Sequence, residues 1–202
     1  MMPTLTWWMA HHDGAPAPSP SSVAASPPSL EQFLCQVQGR GVRMAALALG
    51  DREAALDVVQ DTLTALISRY RDRPAAAWEP LFWRILQTRI RDVYRRRRVR
   101  QRVMAVLGLG DESQEDPMLT LPDTFTPGPD QSLEDGRFAV DLESALRQLP
   151  LRQQQAFLLR HWEGLDTAAT AAALNISEGS VKTHLHRALQ SLRQHLEAYH
   201  EF

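Results

Sequence analysis

Apolar residues recur every three or four positions through most of the first half of the chain, which is the spacing of one helical face. This pattern predicts three helices, over 30–49, 52–70 and 81–98. The first is expected to be interrupted near Gly39 and Gly41, because glycine weakens a helix interior. Two prolines predict a loop over 71–80, and Pro80 suits the first turn of the helix that follows.

The second half carries the same period in shorter segments. It predicts four helices, over 142–149, 151–162, 167–174 and 178–196. Gly164 is expected to end the second of them, and Asp166 or Thr167 to cap the third. No segment alternates apolar and polar residues as a half-buried strand does, so the predicted fold class is all-α.

Composition divides the chain into four parts. Residues 1–29 are rich in Pro, Ala and Ser and cannot bury enough apolar area to offset their ordering entropy, so we expect a disordered leader. Residues 103–137 carry acids, Pro and Gly without a sustained period, which predicts a flexible acidic linker. The segments 30–102 and 138–202 are therefore predicted to be two small helical domains, whose relative orientation the sequence leaves open.

The formal net charge of -2 hides a strong local asymmetry. Between Arg84 and Arg102 there are nine arginines and a single acid, Asp92, whereas residues 103–136 hold eight acids and no Lys or Arg. Attraction to nucleic acid depends on such local patches and not on the sum. The arginine-rich segment is therefore a candidate contact for a phosphate backbone.

What the sequence lacks disfavours several classes of protein. No stretch is apolar enough to span a bilayer and no signal pattern begins the chain, so we expect a cytoplasmic protein without membrane insertion. The single cysteine, Cys35, excludes an intramolecular disulfide and is expected to be buried as a small hydrophobe. Because the sequence shows no metal-ligand spacing, cofactor motif or catalytic set, we expect no metal, no cofactor and no enzyme activity.

A short helix, a tight turn and a longer helix near the C-terminus have the features of a helix-turn-helix DNA-binding motif. Asn175 tolerates a left-handed turn position, and Ser177 can cap the second helix. With the leucines of that helix turned inward, five side chains suited to phosphates or base edges face outward: Ser180, Lys182, Thr183, His186 and Arg187. The alternative is the solvated face of an ordinary amphipathic helix.

A polar stripe lies opposite the valines of the helix predicted over 52–70. Spacings of three and four place its members on one helical face: Asp57, Gln60, Asp61 and Thr64. Such a stripe can dock a partner or simply face solvent, and the residues by themselves do not decide between the two.

Several segments taken together resemble the extracytoplasmic-function (ECF) sigma factors of bacterial RNA polymerase. Residues 57–62 (Asp-Val-Val-Gln-Asp-Thr) are similar to the family's core-binding motif. Residues 82–85 (Phe-Trp-Arg-Ile) and 92–96 (Asp-Val-Tyr-Arg-Arg) resemble its next helix. Leu149-Pro150 and residues 177–188 are similar to its fourth conserved region. Response regulators carry a similar last segment, but the order of all these segments between 30 and 196 is specific to sigma factors.

The resemblance implies roles for the matching residues. The clamp helices of the polymerase's largest subunit would be bound by Asp57, Gln60, Asp61 and Thr64. The minus-10 promoter element would be held by Trp78, Phe82, Trp83, Arg89, Arg95 and Arg96. The minus-35 element would be read by Ser180, Lys182, Thr183, His186 and Arg187. The acidic linker would thread the polymerase's RNA path.

The predicted function is therefore a transcription initiation factor that directs polymerase core to two-part promoters and aids DNA melting. Promoter DNA, the flap of the polymerase's second-largest subunit and an anti-sigma factor are the further partners implied. The alternative is a dimeric helix-turn-helix regulator of the response-regulator type, and a small nuclease is a more distant one. The chain departs from the common family pattern at four positions, Thr88, Ala169, Asn175 and His184.

Overall fold

The computed structural model describes residues 29–106 (the first half) and 133–197 (the second half), and all the regular structure within them is helical. The first half forms α1 (Leu30–Leu49), α2 (Arg52–Tyr70) and α3 (Ala75–Val106). The second half forms α4 (Leu133–Gln148), α5 (Leu151–Phe157), a π-helical segment (Leu158–Trp162), α6 (Thr167–Leu174) and α7 (Glu178–Glu197). The all-α fold class is confirmed. The predicted leader, apart from Ser29, and most of the predicted linker lie outside the described residues.

The helix starts are fixed by side-chain caps. The Ser29 hydroxyl accepts the Gln32 amide at 3.2 Å while the Gln32 side chain accepts the Ser29 amide at 3.0 Å, which makes a capping box for α1. Asp51 caps α2 by accepting the Ala54 amide at 3.0 Å. Because Gly50 ends α1 in the left-handed conformation, with φ at 62°, two residues are enough to turn the chain between α1 and α2.

The predicted caps of the second half are confirmed as well. Asp166 accepts the Ala169 amide at 2.6 Å and starts α6. Asn175 ends α6 in the left-handed conformation, with φ at 53°. Ser177 accepts the Ser180 amide at 3.1 Å at the start of α7. The helix-turn-helix geometry is therefore determined locally, by residues that tolerate or stabilise each turn.

The predicted break of α1 at its two glycines is wrong. α1 runs unbroken, and Gly41 is buried where a Cβ atom would lie 2.8 Å from Phe82 Cζ and 3.4 Å from Val59 Cγ2. Gly41 therefore allows α1 to approach its neighbours closely, and that packing offsets its poor helix propensity. Cys35 also differs from expectation, because it lies on the exposed side of α1.

Helix α3 is longer than predicted at both ends. It begins at Ala75, inside the predicted loop, and it contains Pro80 near its start, where the missing amide costs only one helical hydrogen bond. It continues to Val106, and α4 begins at Leu133, so helix extends into both ends of the predicted linker, residues 103–137. The π-helical segment after α5 was not predicted, since an i to i+5 turn leaves no periodic signal in so short a stretch.

The two halves pack against each other around a shared hydrophobic core. Helix α6 packs on α3, and α1 touches both α4 and α5. The alanine side chains of α6 allow this close approach, with Ala171 and Ala173 both buried. A polar contact adds to it, because the buried Gln154 amide donates to Leu47 O of α1 at 3.5 Å and to Leu146 O of α4 at 3.0 Å. The predicted helical domains thus form one packed body.

Substituting the two glycines of α1 should have opposite effects on stability. We expect Gly41→Ala to lower the free energy of unfolding by about 1–3 kcal/mol, because the new methyl group overpacks against the Phe82 ring. Gly39→Ala should raise it by about 0.5–1 kcal/mol, because that site is exposed and has nothing within 4 Å. Urea unfolding of both variants measures the difference, and equal effects would contradict the close-approach role of Gly41.

Candidate nucleic-acid interface

Helix α7 separates a buried apolar face from an exposed polar one. Val181, Ala188 and Leu192 are buried. Among the predicted groove-reading side chains, four are exposed: Lys182, Thr183, His186 and Arg187. The fifth, Ser180, is half-buried, and its hydroxyl shares a 2.9 Å hydrogen bond with Ser177 at the cap. The exposed face is short and cationic, as a helix that enters the major groove requires.

His184, one of the four departures from the common family pattern, lies beside this face. Its Nδ1 atom is buried and has no hydrogen-bond partner within the described residues. Burial, followed by the neighbouring charges of Arg152 and Arg187, lowers the pKa of His184 below its ordinary value. A neutral ring therefore occupies this position more easily than an arginine would, because an arginine would add a third positive charge beside Arg152 and Arg187.

The arginine-rich end of α3 is divided between structure and solvent. Arg97 donates to Leu49 O and to Asp51, both at 2.7 Å, and so holds α3 against the corner between α1 and α2. The Ala54 amide first, and Arg97 after it, keep the pKa of Asp51 below its ordinary value. Arg95 and Arg96 are exposed, and within the described residues the ion pair of Arg95 is a 3.4 Å contact with Asp92. These two remain available to phosphate.

The three aromatic residues predicted to hold the minus-10 element all lie in the core of this structure. Trp78 is 8% exposed, and Phe82 and Trp83 are completely buried. The Trp78 indole donates to Tyr70 O at 3.2 Å, and the Phe82 and Trp83 rings meet edge to face with centroids 5.0 Å apart. Rings packed in this way cannot stack on a base without leaving the core.

The structure contains a groove between α2 and α3 that the sequence did not reveal. Its volume is about 390 Å³, and its lining includes Arg69, Tyr70, Arg84, Thr88 and Arg89. Three guanidinium groups and a phenol ring, against the single carboxylate of Asp92, suit a phosphate with an adjoining unstacked base. The signal was present in the sequence only as arginines on two separate helices, and their meeting depends on how α2 packs on α3.

The polar stripe on α2 borders this groove. All four predicted members, Asp57, Gln60, Asp61 and Thr64, are exposed. Asp61 pairs with Arg89 across to α3 at 2.7 Å. The apolar side chains of Leu56 and Ile67, 43% and 38% exposed, lie on the same helix. A mixed polar and apolar surface of this kind is typical of a protein-docking site.

Comparisons with known proteins identify the family. The Sigma-70, region 4 family model matches residues 139–192. The RNA polymerase sigma-E factor of Streptomyces avermitilis is 33% identical over 83% of this chain and 85% of its own length. The ECF RNA polymerase sigma factor SigL of Mycobacterium tuberculosis is 31% identical over 77% of this chain and 81% of its own. The chain belongs to the ECF sigma factors.

The sigma factor also resembles a solved structure across both halves. The sigma factor RpoE of Bartonella quintana, in complex with the anti-sigma factor NepR, is 26% identical and matches with a TM-score of 0.55. The match covers 83% of this chain and 96% of that one. These relatives are transcription initiation factors, so the alternatives of a dimeric regulator and of a nuclease are not favoured.

The described residues contain neither a metal-binding cluster nor a membrane-spanning helix. Within 29–106 and 133–197, no group of three His, Cys, Asp or Glu side chains could hold a metal ion. Over the same residues, no helix of the sigma factor is both long and apolar enough to cross a bilayer.

The low pKa of His184 predicts a loss of stability in acid. As the pH falls below about 6.5, the unfolded chain takes up a proton that folded His184 resists, so the free energy of unfolding decreases. We expect His184→Gln to reduce this decrease, whereas Gln190→Ala, at an exposed position on the same helix, should leave it unchanged. Urea unfolding between pH 7.5 and 5.5 tests this, and identical pH profiles for both variants would contradict it.

Proposed function

We propose that this sigma factor binds polymerase core through the α2 stripe and carries it to two-part promoters through α3 and α7, without catalysis of its own. The observation that supports this most is the exposure of two surfaces in one chain, the polar stripe on α2 and the cationic face of α7. Within this proposal, residues 30–102, which make up most of the first half, bind core and the minus-10 element. Residues 138–202, which include most of the second half, bind the minus-35 element.

The core-binding surface would be the stripe of Asp57, Gln60, Asp61 and Thr64. Asp57, Gln60 and Asp61 lie in the segment that resembles the family's core-binding motif, and Thr64 follows on the same helical face. Their proposed partner is the pair of clamp helices in the largest subunit. The Asp61–Arg89 pair joins this surface to the groove between α2 and α3. Core binding that engages Asp61 would therefore release Arg89 toward DNA, which couples the two surfaces.

The minus-10 surface would combine the groove with the exposed arginines. Arg95 and Arg96 would contact the backbone, and the groove lined by Arg69, Arg84 and Thr88 would receive an unstacked base. Thr88 replaces the asparagine common in the family, so the preferred base at this point is expected to differ. Trp78, Phe82 and Trp83 would support the groove from beneath.

The promoter's length requires the two halves to separate. Elements centred near minus 10 and minus 35 are roughly 85 Å apart at about 3.4 Å per base pair. A packed body of this size measures roughly 40 Å across, and even the 32 residues of α3 extend only about 48 Å. The packed arrangement would therefore be a closed form, and binding to both elements would need an open one.

The remaining partners follow from this assignment. The second half would dock on the flap of the polymerase's second-largest subunit, and the whole process would take place in the cytoplasm. An anti-sigma factor is a further proposed partner, supported by the relative from Bartonella quintana, which was solved in complex with one. Such an inhibitor would act by hiding the α2 stripe or the α7 face.

Run-off transcription with purified core polymerase and a genomic promoter library tests the proposed function. We expect transcripts that depend on the sigma factor and that weaken with Asp57→Ala or Gln60→Ala, because both variants remove contacts to core. Arg52→Ala, at an exposed position on the same helix, is the matched control. Absence of any factor-dependent transcript, together with absence of core binding, would contradict the proposal.

Two substitutions on α7 should separate backbone binding from base reading. Lys182→Ala should weaken promoter binding about equally for all sequences and lower the salt slope by about 1, because it removes one phosphate contact. Arg187→Ala should cost about 1–3 kcal/mol and relax specificity at one base pair, because it removes a base contact. Holoenzyme binding to a minus-35 mutant panel at several salt concentrations measures both effects. Identical profiles for the two variants would contradict separate roles.

A further inference from the structure

One ion pair joins the two halves across their interface. Arg40, on α1, donates from Nε to Glu163 Oε2 at 2.7 Å, and its Nη2 also contacts that oxygen. Glu163 directly follows the π-helical segment of the second half. The same guanidinium donates to Glu79 of α3 at 2.9 Å and lies 5.3 Å from the centroid of the Trp83 ring. Arg40 is thus the point where α1, α3 and the second half meet.

The two partners are buried to very different extents. The Glu163 side chain is 2% exposed, whereas that of Arg40 is 33% exposed. A carboxylate so deeply buried loses nearly all its hydration, and only a close cation compensates for that loss. The other charges that face Glu163 are Arg43 on α1 and Glu79 on α3.

The backbone around Glu163 is shaped to aim it across the interface. The Glu163 amide donates to Leu158 O at 3.0 Å, which closes the π turn, and Gly164 then reverses the chain with φ at 69°. A π turn is rare and is found mostly at functional positions. Here it ends at the residue that enters the interface.

We propose that Arg40 is a conditional latch: it permits the closed form by compensating the buried Glu163 carboxylate, and its disengagement opens the sigma factor for polymerase. This inference rests on the proposed function, because closure matters only if the halves must separate on a promoter. Hydrophobic contacts between α3 and α6 hold the two halves together in the closed form. The ion pair determines whether those contacts are strong enough to keep the closed form more populated than the open one.

The proposal predicts an asymmetry between single and double substitutions. Arg40→Gln leaves Glu163 charged and buried, which strongly disfavours the closed form. Adding Glu163→Gln removes the stranded charge, so the double variant should close again, as neutral replacements of both partners in a buried pair commonly preserve stability. A merely structural role for Arg40 would predict no such recovery.

The proposal also gives the sign of a pH effect. Burial raises the pKa of Glu163 in the closed form, although Arg40 opposes that rise. In the open form Glu163 would be hydrated and would titrate near its ordinary value, so the closed form holds its proton more tightly. Acid therefore favours closure. Without Arg40 the pKa of Glu163 in the closed form rises further. As the pH falls, the open fraction of Arg40→Gln should therefore begin to decrease at a higher pH than that of the unsubstituted protein.

Distance measurements on the free, full-length protein test the latch. Cys35 is the only cysteine and is exposed on α1, so it accepts one spin label, and Gln190→Cys provides a second on the exposed side of α7. Pulsed dipolar spectroscopy then gives the closed and open populations. We expect Arg40→Gln to raise the open-to-closed ratio about tenfold or more, and the double variant to restore it.

Arg147→Gln is the matched control. It breaks a half-buried pair with Glu143 that lies wholly within α4, in which Nε and Nη2 of Arg147 donate to Glu143 Oε1 at 3.2 and 2.5 Å, so the distance distribution should not change. A second readout is affinity for polymerase core, which should rise in Arg40→Gln by the same factor as the open fraction and fall back in the double variant.

Several results would overturn the latch. One is a spin-label distance distribution that Arg40→Gln leaves unchanged. The others are a double variant that stays open and an open fraction of Arg40→Gln that does not depend on pH. If the distances change as expected while no variant binds core, the latch stands and the proposed function fails, so the two failures can be told apart.

Discussion

The burial of one face of α3 is the constraint on which the structure depends. Phe82, Leu86 and Ile90 are fully buried at helical spacing, and they direct the opposite face of the same helix into solvent. That exposed face carries the arginines and one wall of the groove. Because α6 also packs on α3, this helix holds the first and second halves together. Its packing thus positions the proposed DNA contacts. In the same packed arrangement these contacts lie closer together than the two elements of a promoter do.

Charge balances this apolar attraction. The interface buries the Glu163 carboxylate against Arg40, and Arg43 also faces it. It also brings Arg152 of α5 near Arg91 of α3, and burial first, then Arg91, lowers the pKa of Arg152. Buried charges of this kind weaken an interface unless each is compensated. A protein that must close in one state and separate in another is served by such an interface, because modest changes in charge can shift the equilibrium.

Sequence periodicity predicted most of the fold, because helices with one apolar face repeat at a fixed spacing and their caps are local. The prediction failed where tertiary contacts outweigh local preference. Gly41 lies inside a helix because Phe82 packs against it. The rings expected to hold the minus-10 element are in the core because α1 packs against them. The face of α7 could be predicted from one helix alone. The groove and the Arg40–Glu163 pair could not, since each joins residues far apart in sequence.

Hydroxyl-radical footprints of a promoter bound by the reconstituted holoenzyme, with the unsubstituted sigma factor and with its Arg96→Ala/Lys182→Ala variant, test the central claim most directly, because their difference separates the sigma factor's contacts from those of core polymerase. A sigma factor whose halves separate on DNA should protect two patches with centres about 25 base pairs apart, roughly 85 Å at the axial rise of duplex DNA. A body that remained closed would protect a single patch of roughly 12 base pairs, the length that about 40 Å of duplex contains. Two separated patches are the expected result, and a single short patch would contradict the account.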